Sequence, residues 1–354
     1  MNDGIRDFLY RISKRILRLR GYVFELVHRR GLKKVLNKTV PKNIQSNFLE
    51  NHLKKLLDFP ITFSIEITNI CNANCWFCPT HKSKREKGYM DFLLFKKIID
   101  EIKPRSKAVK SIALFMDGEP TLHRGLIDFF KYSAKVGVKR MYISSNMEYF
   151  TPELTDKIFK ANLGRTFQYI ICSVDGTNEE IYSKNRIGCN FNKSVYNIEY
   201  LIRQRSLKRK LYPRIFTRLL VSKLTKNEVD KFKEFWRGKS DKVLCYNMHN
   251  WGGALLDDNL NIEYNDNFIP CYFPFSQFAI QYDGTVRLCC VDANSSTVVG
   301  NVNYQSIREI WNNQIINKIR ESHLKRKISV LPEVCKNCSY PKKGSWIAPF
   351  FWNN

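Results

Sequence analysis

The sequence predicts an α/β fold: a partial, TIM-like (β/α)6 barrel, preceded by an amphipathic helix and followed by a small hairpin-plus-helix domain. Between residues 61 and 255, six short runs rich in β-branched and aromatic residues alternate with segments of helical hydrophobic period. Past residue 260 this alternation gives way to a hairpin pattern and then to a helix. Six strand–helix pairs fall short of the eight that close a barrel. We therefore expect three units, at residues 1–60, 61–255 and 256–354.

The strands and helices of the barrel follow from local patterns. Strands are predicted at residues 61–68, 111–116, 139–145, 169–174, 215–221 and 243–248. Helices are predicted at residues 90–102, 126–136, 152–161, 192–206 and 226–236, where apolar residues recur three and four positions apart. The carboxyl ends of parallel strands meet at one edge, and α/β enzymes place their chemistry there.

The composition indicates a folded and strongly basic protein. The chain has 354 residues, 44% of them hydrophobic, and a formal net charge of +26, and this length can bury a sizeable core. A basic balance suits nucleic acid, an anionic membrane or an acidic substrate, although a lysine-rich composition accounts for it equally well. Nucleic acid is disfavoured because no basic strand carries spaced aromatic residues.

Residues 1–60 predict a basic, amphipathic helical extension. Within residues 5–27, apolar positions recur at helical spacing with arginines and lysines between them. Such a helix can lie on an anionic membrane, or its apolar stripe can pack on the main domain. No apolar run reaches the roughly 18–20 residues of a membrane span, and no signal peptide is recognisable. We therefore expect a cytoplasmic protein, peripheral on the inner face of the membrane if the helix binds lipid.

Three cysteines follow the first predicted strand: Cys71, Cys75 and Cys78, separated by three and then by two residues. This spacing lets one short loop present three thiolates to a metal centre. A cubane iron–sulfur cluster normally takes four cysteines, so three leave one iron with an open coordination site, which a metal needs in order to activate a substrate group. A zinc knuckle completed by His81 is the alternative interpretation.

The cysteine loop resembles the signature of the radical S-adenosylmethionine (SAM) superfamily, Cys-x3-Cys-x2-Cys with an aromatic residue, here Phe77, before the last cysteine. The resemblance implies a 4Fe–4S cluster held by three cysteines, with the amino and carboxylate groups of SAM on the open iron. It further implies that one electron cleaves SAM to methionine and a 5′-deoxyadenosyl radical, which abstracts hydrogen from a substrate C–H bond. A reductant such as flavodoxin or ferredoxin is the implied partner.

Further turns resemble SAM contacts of this family. The run Asp117–Pro120 is similar to a Gly-Gly-Glu-Pro turn that binds the SAM amino group, with Asp117 in place of the first glycine. Arg186 resembles an arginine near the SAM carboxylate, and a surface ion pair is its other interpretation. The resemblance implies the following cofactor-binding residues: Phe77, Gly118, Glu119, Pro120, Asn146, Ser173, Asp175 and Arg186.

A second group of four cysteines lies near the C-terminus: Cys271, Cys289, Cys335 and Cys338. Four thiolates suffice for a full cluster without an open iron. Their order, with a hairpin through a type I′ turn and a helix at residues 306–322 between them, resembles the SPASM and shorter twitch extensions of the family. The resemblance implies one auxiliary 4Fe–4S cluster. Cys290 is the alternative to Cys289 as ligand, since adjacent strand residues point to opposite faces. A structural zinc site is the alternative for the whole group.

Together these features imply a radical SAM oxidoreductase. The expected reaction is a two-electron oxidation (dehydrogenation) of a carbohydrate or other small molecule, with the auxiliary cluster as electron acceptor. If the N-terminal helix binds a membrane, a glycan- or lipid-linked substrate is favoured. The alternatives are a peptide-modifying maturase of RiPP or sulfatase type, a radical epimerase, and a non-enzymatic metal-cluster or nucleic-acid-binding protein. No residue is predicted as a substrate acid or base.

Overall fold

A single nine-stranded sheet forms the centre of the computed structural model, which describes residues 50, 53–54, 56–260 and 268–343. The strands are β1 (Thr62–Ile65), β2 (Ser111–Ala113), β3 (Met141–Ser145), β4 (Phe167–Ser173), β5 (Arg214–Val221), β6 (Lys242–Asn247), β7 (Gln277–Ile280), β8 (Thr285–Arg287) and β9 (Val298–Asn301). Their order in the sheet is β6-β5-β4-β3-β2-β1-β7-β8-β9. The helix predicted at residues 5–27 lies outside the described residues.

Strands β1 to β6 pair in parallel with their neighbours in the chain, as the alternating pattern predicts. The helices that follow them are α1 (Phe92–Ile102), α2 (Leu126–Lys135), α3 (Pro152–Ala161), α4 (Glu179–Asn185), α5 (Phe191–Leu207) and α6 (Val229–Trp236). Side-chain caps fix where the helices begin: Asp91 accepts from the first turn of α1, and Thr151 from that of α3. Helix α4 was not predicted.

Residues on the barrel strands alternate between two environments. Ile143, Ile170 and Ile215 are fully buried in the core between the sheet and the helices. Their neighbours Tyr142 and Tyr169 point to the opposite face, where their rings stack on one another. In the described part of the chain, β6 and β9 each pair on one side only. The parallel strands therefore form an open, partial barrel whose concave face, the lumen, is lined by the second set of residues.

The C-terminal segment extends this sheet. Strand β7 pairs in parallel with β1, and β8 and β9 follow in antiparallel order. The predicted hairpin forms, but its turn is not of type I′: the Gly284 N–H donates to the Gln281 carbonyl (3.0 Å), and within the turn only Gly284 has a positive φ, of 88°. A type I′ turn requires two such residues.

Five short helices surround the hairpin: α7 (Phe273–Ser276), α8 (Ile307–Trp311), α9 (Gln314–Leu324), α10 (Glu333–Asn337) and α11 (Tyr340–Lys343). The single helix predicted at residues 306–322 is two helices, α8 and α9. The break occurs because the Asn313 side chain accepts from the Ile316 N–H (3.0 Å) and starts a new helix there. The segments that carry the two cysteine groups are therefore attached to one continuous sheet.

Candidate active site

The first cysteine group lies in the loop at the carboxyl end of β1. The Cys78 N–H donates to the Cys75 carbonyl (3.0 Å), and the Ala73 N–H donates to Cys71 Sγ (3.4 Å). A single turn of 3-10 helix at Pro79–Lys82 ends the loop. The indole N–H of Trp251, after β6, donates to the carbonyl of Phe77 (2.9 Å). These bonds fold the loop so that its three thiols belong to one compact turn.

Burial makes bare thiolates costly in this loop. It raises the pKa of the Cys71 thiol to about 12 and also raises the pKa values of Cys75 and Cys78. A cationic metal centre would hold the three sulfurs as thiolates. Among the described residues, no three His, Cys, Asp or Glu side chains converge on a single ion, and His81 is exposed. Three thiols that do not converge on one ion suit a multi-iron cluster, whose ligands bind separate irons, better than a single zinc ion.

The turn after β2 packs tightly against the cysteine loop. A Cβ at Gly118 would clash with the Thr68 carbonyl and lie 2.8 Å from the Ile70 carbonyl, so only glycine fits. The Glu119 side chain accepts from the Thr121 N–H (3.1 Å) and from the Asn146 N–H (2.8 Å). Burial raises the pKa of Glu119, and these hydrogen bonds oppose the rise. Glu119 therefore joins the tips of β2 and β3 beside the cysteines.

Arg186 forms a buried ion pair and not the surface pair considered above. Its Nη2 lies 2.6 Å from Asp175 Oδ2, and Asp175 Oδ1 accepts from the Leu220 N–H (2.6 Å). The guanidinium also donates to Cys75 Sγ (3.7 Å) and lies 5.6 Å from the ring centroid of Phe77. Asp175 thus holds Arg186 against the cysteine loop. A cation at this place suits the carboxylate of a bound cofactor.

The remaining predicted residues surround the same loop. Pro120 is buried and begins the 3-10 turn Pro120–Leu122. The Asn146 side chain donates to the Asn72 side chain within the cysteine loop (2.9 Å). Ser173 ends β4, and its hydroxyl lies 3.1 Å from that of Ser144 on β3. All eight predicted cofactor residues therefore lie at the carboxyl edge of the parallel strands, which is where the cysteine loop begins.

Asp117, which departs from the family pattern, belongs to a buried charge network. Its carboxylate lies 2.6 Å from Arg287 Nη1 on β8 and 3.0 Å from Arg85 Nη1. Arg85 in turn pairs with Glu66 (2.6 Å). Burial acts to lower the pKa of Arg287, but the Asp117 carboxylate outweighs it and the pKa is raised. The network contains two cations and two anions, so the buried charges are balanced.

The second cysteine group encloses one cavity. Cys271, Cys289, Cys335 and Cys338 all line it, and its other walls are apolar side chains. Burial raises the pKa values of the Cys271, Cys289 and Cys335 thiols, that of Cys335 to about 12. Cys290 does not line this cavity; its N–H donates to the Gln277 side chain (3.0 Å). The arrangement fits four thiolates around one buried cluster, and it favours Cys289 over Cys290 as the fourth of them.

Sequence reasoning missed the residues that line the lumen. Tyr169 stacks between Tyr142 (4.4 Å between ring centroids) and Phe216 (5.0 Å). Arg218 on β5 donates to the Ser173 hydroxyl (2.6 Å). In the described chain, Arg218 has no carboxylate within 4 Å, and its Nε has no hydrogen-bond partner. The signal was present, because an arginine within an apolar parallel strand is costly unless it faces a cavity.

A partial parallel barrel with three cysteines at one strand end and four around a separate cavity defines an iron–sulfur enzyme of the α/β class. The Radical SAM superfamily model matches residues 65–235, and the model of an iron–sulfur cluster-binding domain, SPASM, matches residues 257–339. The chain belongs to the radical SAM superfamily and carries a C-terminal SPASM domain, as its motifs predicted. Its cofactors are accordingly SAM and iron–sulfur clusters.

Curated relatives and solved structures share this architecture. The S-adenosyl-L-methionine-dependent 2-deoxy-scyllo-inosamine dehydrogenase of Niallia circulans is 26% identical over 276 residues, which are 78% of this chain and 91% of that protein. The mycofactocin maturase MftC of Mycolicibacterium smegmatis is 28% identical over 155 residues, 43% of this chain and 37% of that protein. The crystal structure of BtrN with AdoMet and 2-DOIA has a TM-score of 0.53 at 21% identity, covering 80% of this chain and 94% of BtrN.

Proposed function

We propose that the chain is a radical SAM dehydrogenase that oxidises an alcohol on a small, carbohydrate-like ring. The similarity to the 2-deoxy-scyllo-inosamine dehydrogenase supports this, because it spans most of both chains. The observation that carries the proposal is the pair of separate cysteine groups, the three-cysteine loop after β1 and the four-cysteine cavity of the C-terminal segment. Oxidation removes two electrons, and a second cluster provides a place for the electron that a single hydrogen-atom abstraction leaves behind.

The roles of the chain's own residues follow from their positions. Cys71, Cys75 and Cys78 would hold the SAM-binding cluster, and the four cysteines of the second cavity the auxiliary cluster. Bound there, these groups supply a hydrogen-abstracting radical and an electron acceptor. The Glu119 turn and Arg186 would orient SAM through its amino and carboxylate groups. Glu119 and Arg186 are buried beside the loop, so a cofactor bound there would be shielded from water.

The lumen residues would orient the substrate. Tyr142 and Tyr169 lie on the lumen side of β3 and β4, and the Arg218 guanidinium on β5 has an Nε–H without a hydrogen-bond partner among the described residues. Burial raises the pKa of Tyr142 to about 12, and the nearby Cys290 thiol adds to the rise, so the phenol is neutral and can donate to a ring oxygen. Aromatic side chains beside a few convergent polar groups suit the binding of a small polar ring.

The proposal extends to organisation and partners. Residues 61–255 would bind SAM and residues 256–354 the auxiliary cluster, in the cytoplasm, where flavodoxin or ferredoxin could supply electrons. No helix in the described part of the chain is long and apolar enough to cross a membrane. Residues 5–27 would contact the membrane surface and favour a glycan- or lipid-linked substrate. If vesicle binding is unchanged after deletion of residues 1–40, residues 5–27 do not contact the membrane.

The proposed reaction is tested by product mass. The anaerobically reconstituted chain is incubated with SAM, dithionite and 2-deoxy-scyllo-inosamine or related ring polyols. Dehydrogenation gives a product lighter by two hydrogens. A product of unchanged mass with one inverted centre would instead identify an epimerase. Turnover of a precursor peptide but of no ring polyol would identify a maturase.

A further inference from the structure

The barrel face opposite the cysteine loop is strongly basic. It is formed by the segments that lead from each helix into the next strand, and we call it the basal surface. These segments are residues 103–110, 135–140, 162–166, 207–214 and 237–242. Together they contain fifteen Lys and Arg residues, all exposed, and a single acidic residue, Asp241. Because parallel strands place these segments at one end of the barrel, the charge is concentrated on one face.

A basic composition alone does not explain this concentration. The segments at the carboxyl ends of the barrel strands are residues 66–91, 114–125, 146–151, 174–178, 222–228 and 248–260. They carry seven Lys and Arg residues and ten Asp and Glu residues. A lysine-rich composition would load both ends of the barrel alike. Of the two ends of the barrel, only the basal one therefore carries an excess of positive charge.

Most of this charge is not neutralised. Three of the fifteen cations pair with a carboxylate: Arg105 with Asp58 (2.6 Å), Arg237 with Glu234 (2.8 Å) and Lys239 with Glu199 (3.3 Å). Within the described residues, the other twelve have no carboxylate within 4 Å. Exposed cations that repel one another on one face leave the surface suited to an anionic partner.

Two exposed leucines indicate which anionic partner fits. Leu207 is 70% exposed and Leu211 is 68% exposed, and the basic triplet Lys208–Lys210 lies between them. A lipid surface uses both features, because cations approach the headgroups while apolar side chains enter the acyl boundary. Nucleic acid would use the cations but leave the leucines in water; it favours aromatic side chains for stacking.

The chain's N-terminal region joins the barrel at the same face. Asp58 and Phe59 precede β1, and Arg105 of the basal surface pairs with the first and lies 5.9 Å from the ring centroid of the second. We propose that the basal surface docks the barrel on an anionic membrane, with the cysteine loop facing away from the lipid. This contact is separate from the one proposed for residues 5–27 and does not depend on the chemistry of the site.

The test is co-sedimentation of the full-length chain with vesicles of phosphatidylcholine, alone or with 30 mol% phosphatidylglycerol. The basal variant is Lys208→Glu/Arg209→Glu/Lys210→Glu. A charge-matched control, Lys223→Glu/Lys226→Glu/Lys318→Glu, changes three exposed lysines outside the basal surface. We expect the wild type to bind the anionic vesicles at least tenfold more tightly than the neutral ones. The basal variant should lose most of that preference and keep only what residues 5–27 contribute, and the control should keep it in full.

A second variant, Leu207→Ser/Leu211→Ser, should remove the part of the binding that survives 0.5 M salt, since apolar insertion is not screened. Equal losses in the basal and control variants would overturn the proposal, because they would show a response to net charge alone. Binding of a DNA duplex through the basal triplet without binding to anionic vesicles would also overturn it. SAM cleavage without vesicles should be unchanged in every variant, so failure of this proposal is distinguishable from failure of the proposed reaction.

Discussion

Asp117 accepts two hydrogen bonds from Arg287, Nη1 to Oδ2 at 2.6 Å and Nη2 to Oδ1 at 2.9 Å, in a bidentate pair. Arg287 is only 1% exposed. The pair joins the turn after β2, beside the cysteine loop, to strand β8 of the SPASM segment. The aspartate at a position where the family pattern has glycine is therefore explained by a buried arginine 170 residues away.

Removing the Asp117 carboxylate should destabilise the fold strongly. Asp117→Asn leaves the buried Arg287 without a counter-charge, and breaking such a pair costs about 3–5 kcal/mol. The matched control is Asp58→Asn, which breaks the exposed pair with Arg105 and should cost less than about 1 kcal/mol. The midpoints of denaturant unfolding measure both.

The double variant Asp117→Gly/Arg287→Met tests whether the two residues are coupled. It removes both charges and restores the family glycine, so it should be more stable than Asp117→Asn, because no unpaired buried charge remains. If Asp117→Asn costs no more than Asp58→Asn, the pair does not hold the two segments together.

Iron content should separate Cys289 from its neighbour. Cys289→Ala removes a thiol from the four-cysteine cavity and should lower the content from about eight irons per chain to about four. Cys290→Ala should leave about eight, because this thiol does not line the cavity. Iron analysis and low-temperature electron paramagnetic resonance of the reconstituted variants measure this. The opposite pattern would assign the ligand to Cys290.

Gly118→Ala should weaken SAM binding by at least tenfold, which corresponds to about 1.4 kcal/mol. The added Cβ would meet backbone carbonyls of the cysteine loop, which cannot move without displacing the thiols. Gly125→Ala is the control, because its Cβ would meet only the His123 side chain, at 3.1 Å. Calorimetric titration of SAM into the reconstituted proteins measures the affinity of each variant. Equal affinities in the two variants would contradict the close approach of this turn.

Arg218→Gln should uncouple SAM cleavage from substrate oxidation. Both clusters and reductive SAM cleavage should remain, while oxidised product per 5′-deoxyadenosine falls at least tenfold, because the substrate loses its charged partner. Arg218→Lys should keep part of the coupling, since it retains the charge without the planar fork. Arg214→Gln, at the exposed start of the same strand, is the control. A tenfold loss of SAM affinity in Arg218→Gln would instead place Arg218 in the SAM site.

The local sequence pattern was sufficient to predict the barrel strands. It was not sufficient to predict that the C-terminal segment extends the same sheet. The six barrel strands were predicted because each is a short β-branched run, and the first five are each followed by a helical period. The parallel pairing of β7 with β1 joins residues more than 200 positions apart, and no local pattern encodes it. Strand β9 was also missed, although it pairs locally with β8, because it is only four residues long and is partly exposed.

The residues of the candidate site also differ in whether local sequence could identify them. Both cysteine groups could be found because ligand spacing is local, and Glu119 because its turn has a recognisable pattern. Arg218 had a signal in the sequence that was overlooked, whereas Tyr142 and Tyr169 became recognisable only when strand register placed them on one face. The partnership of Asp117 with Arg287 likewise depends on tertiary pairing, so the sequence showed the departure from the family pattern without its reason.

Reductive cleavage of SAM by the anaerobically reconstituted chain tests the central claim most directly. The wild type, given dithionite and SAM, should release 5′-deoxyadenosine, and Cys75→Ala, which lacks one ligand of the first cluster, should release none. With a deuterated substrate alcohol, the label should appear in the 5′-deoxyadenosine. Intact SAM after reduction of an iron-loaded wild-type chain would contradict the account.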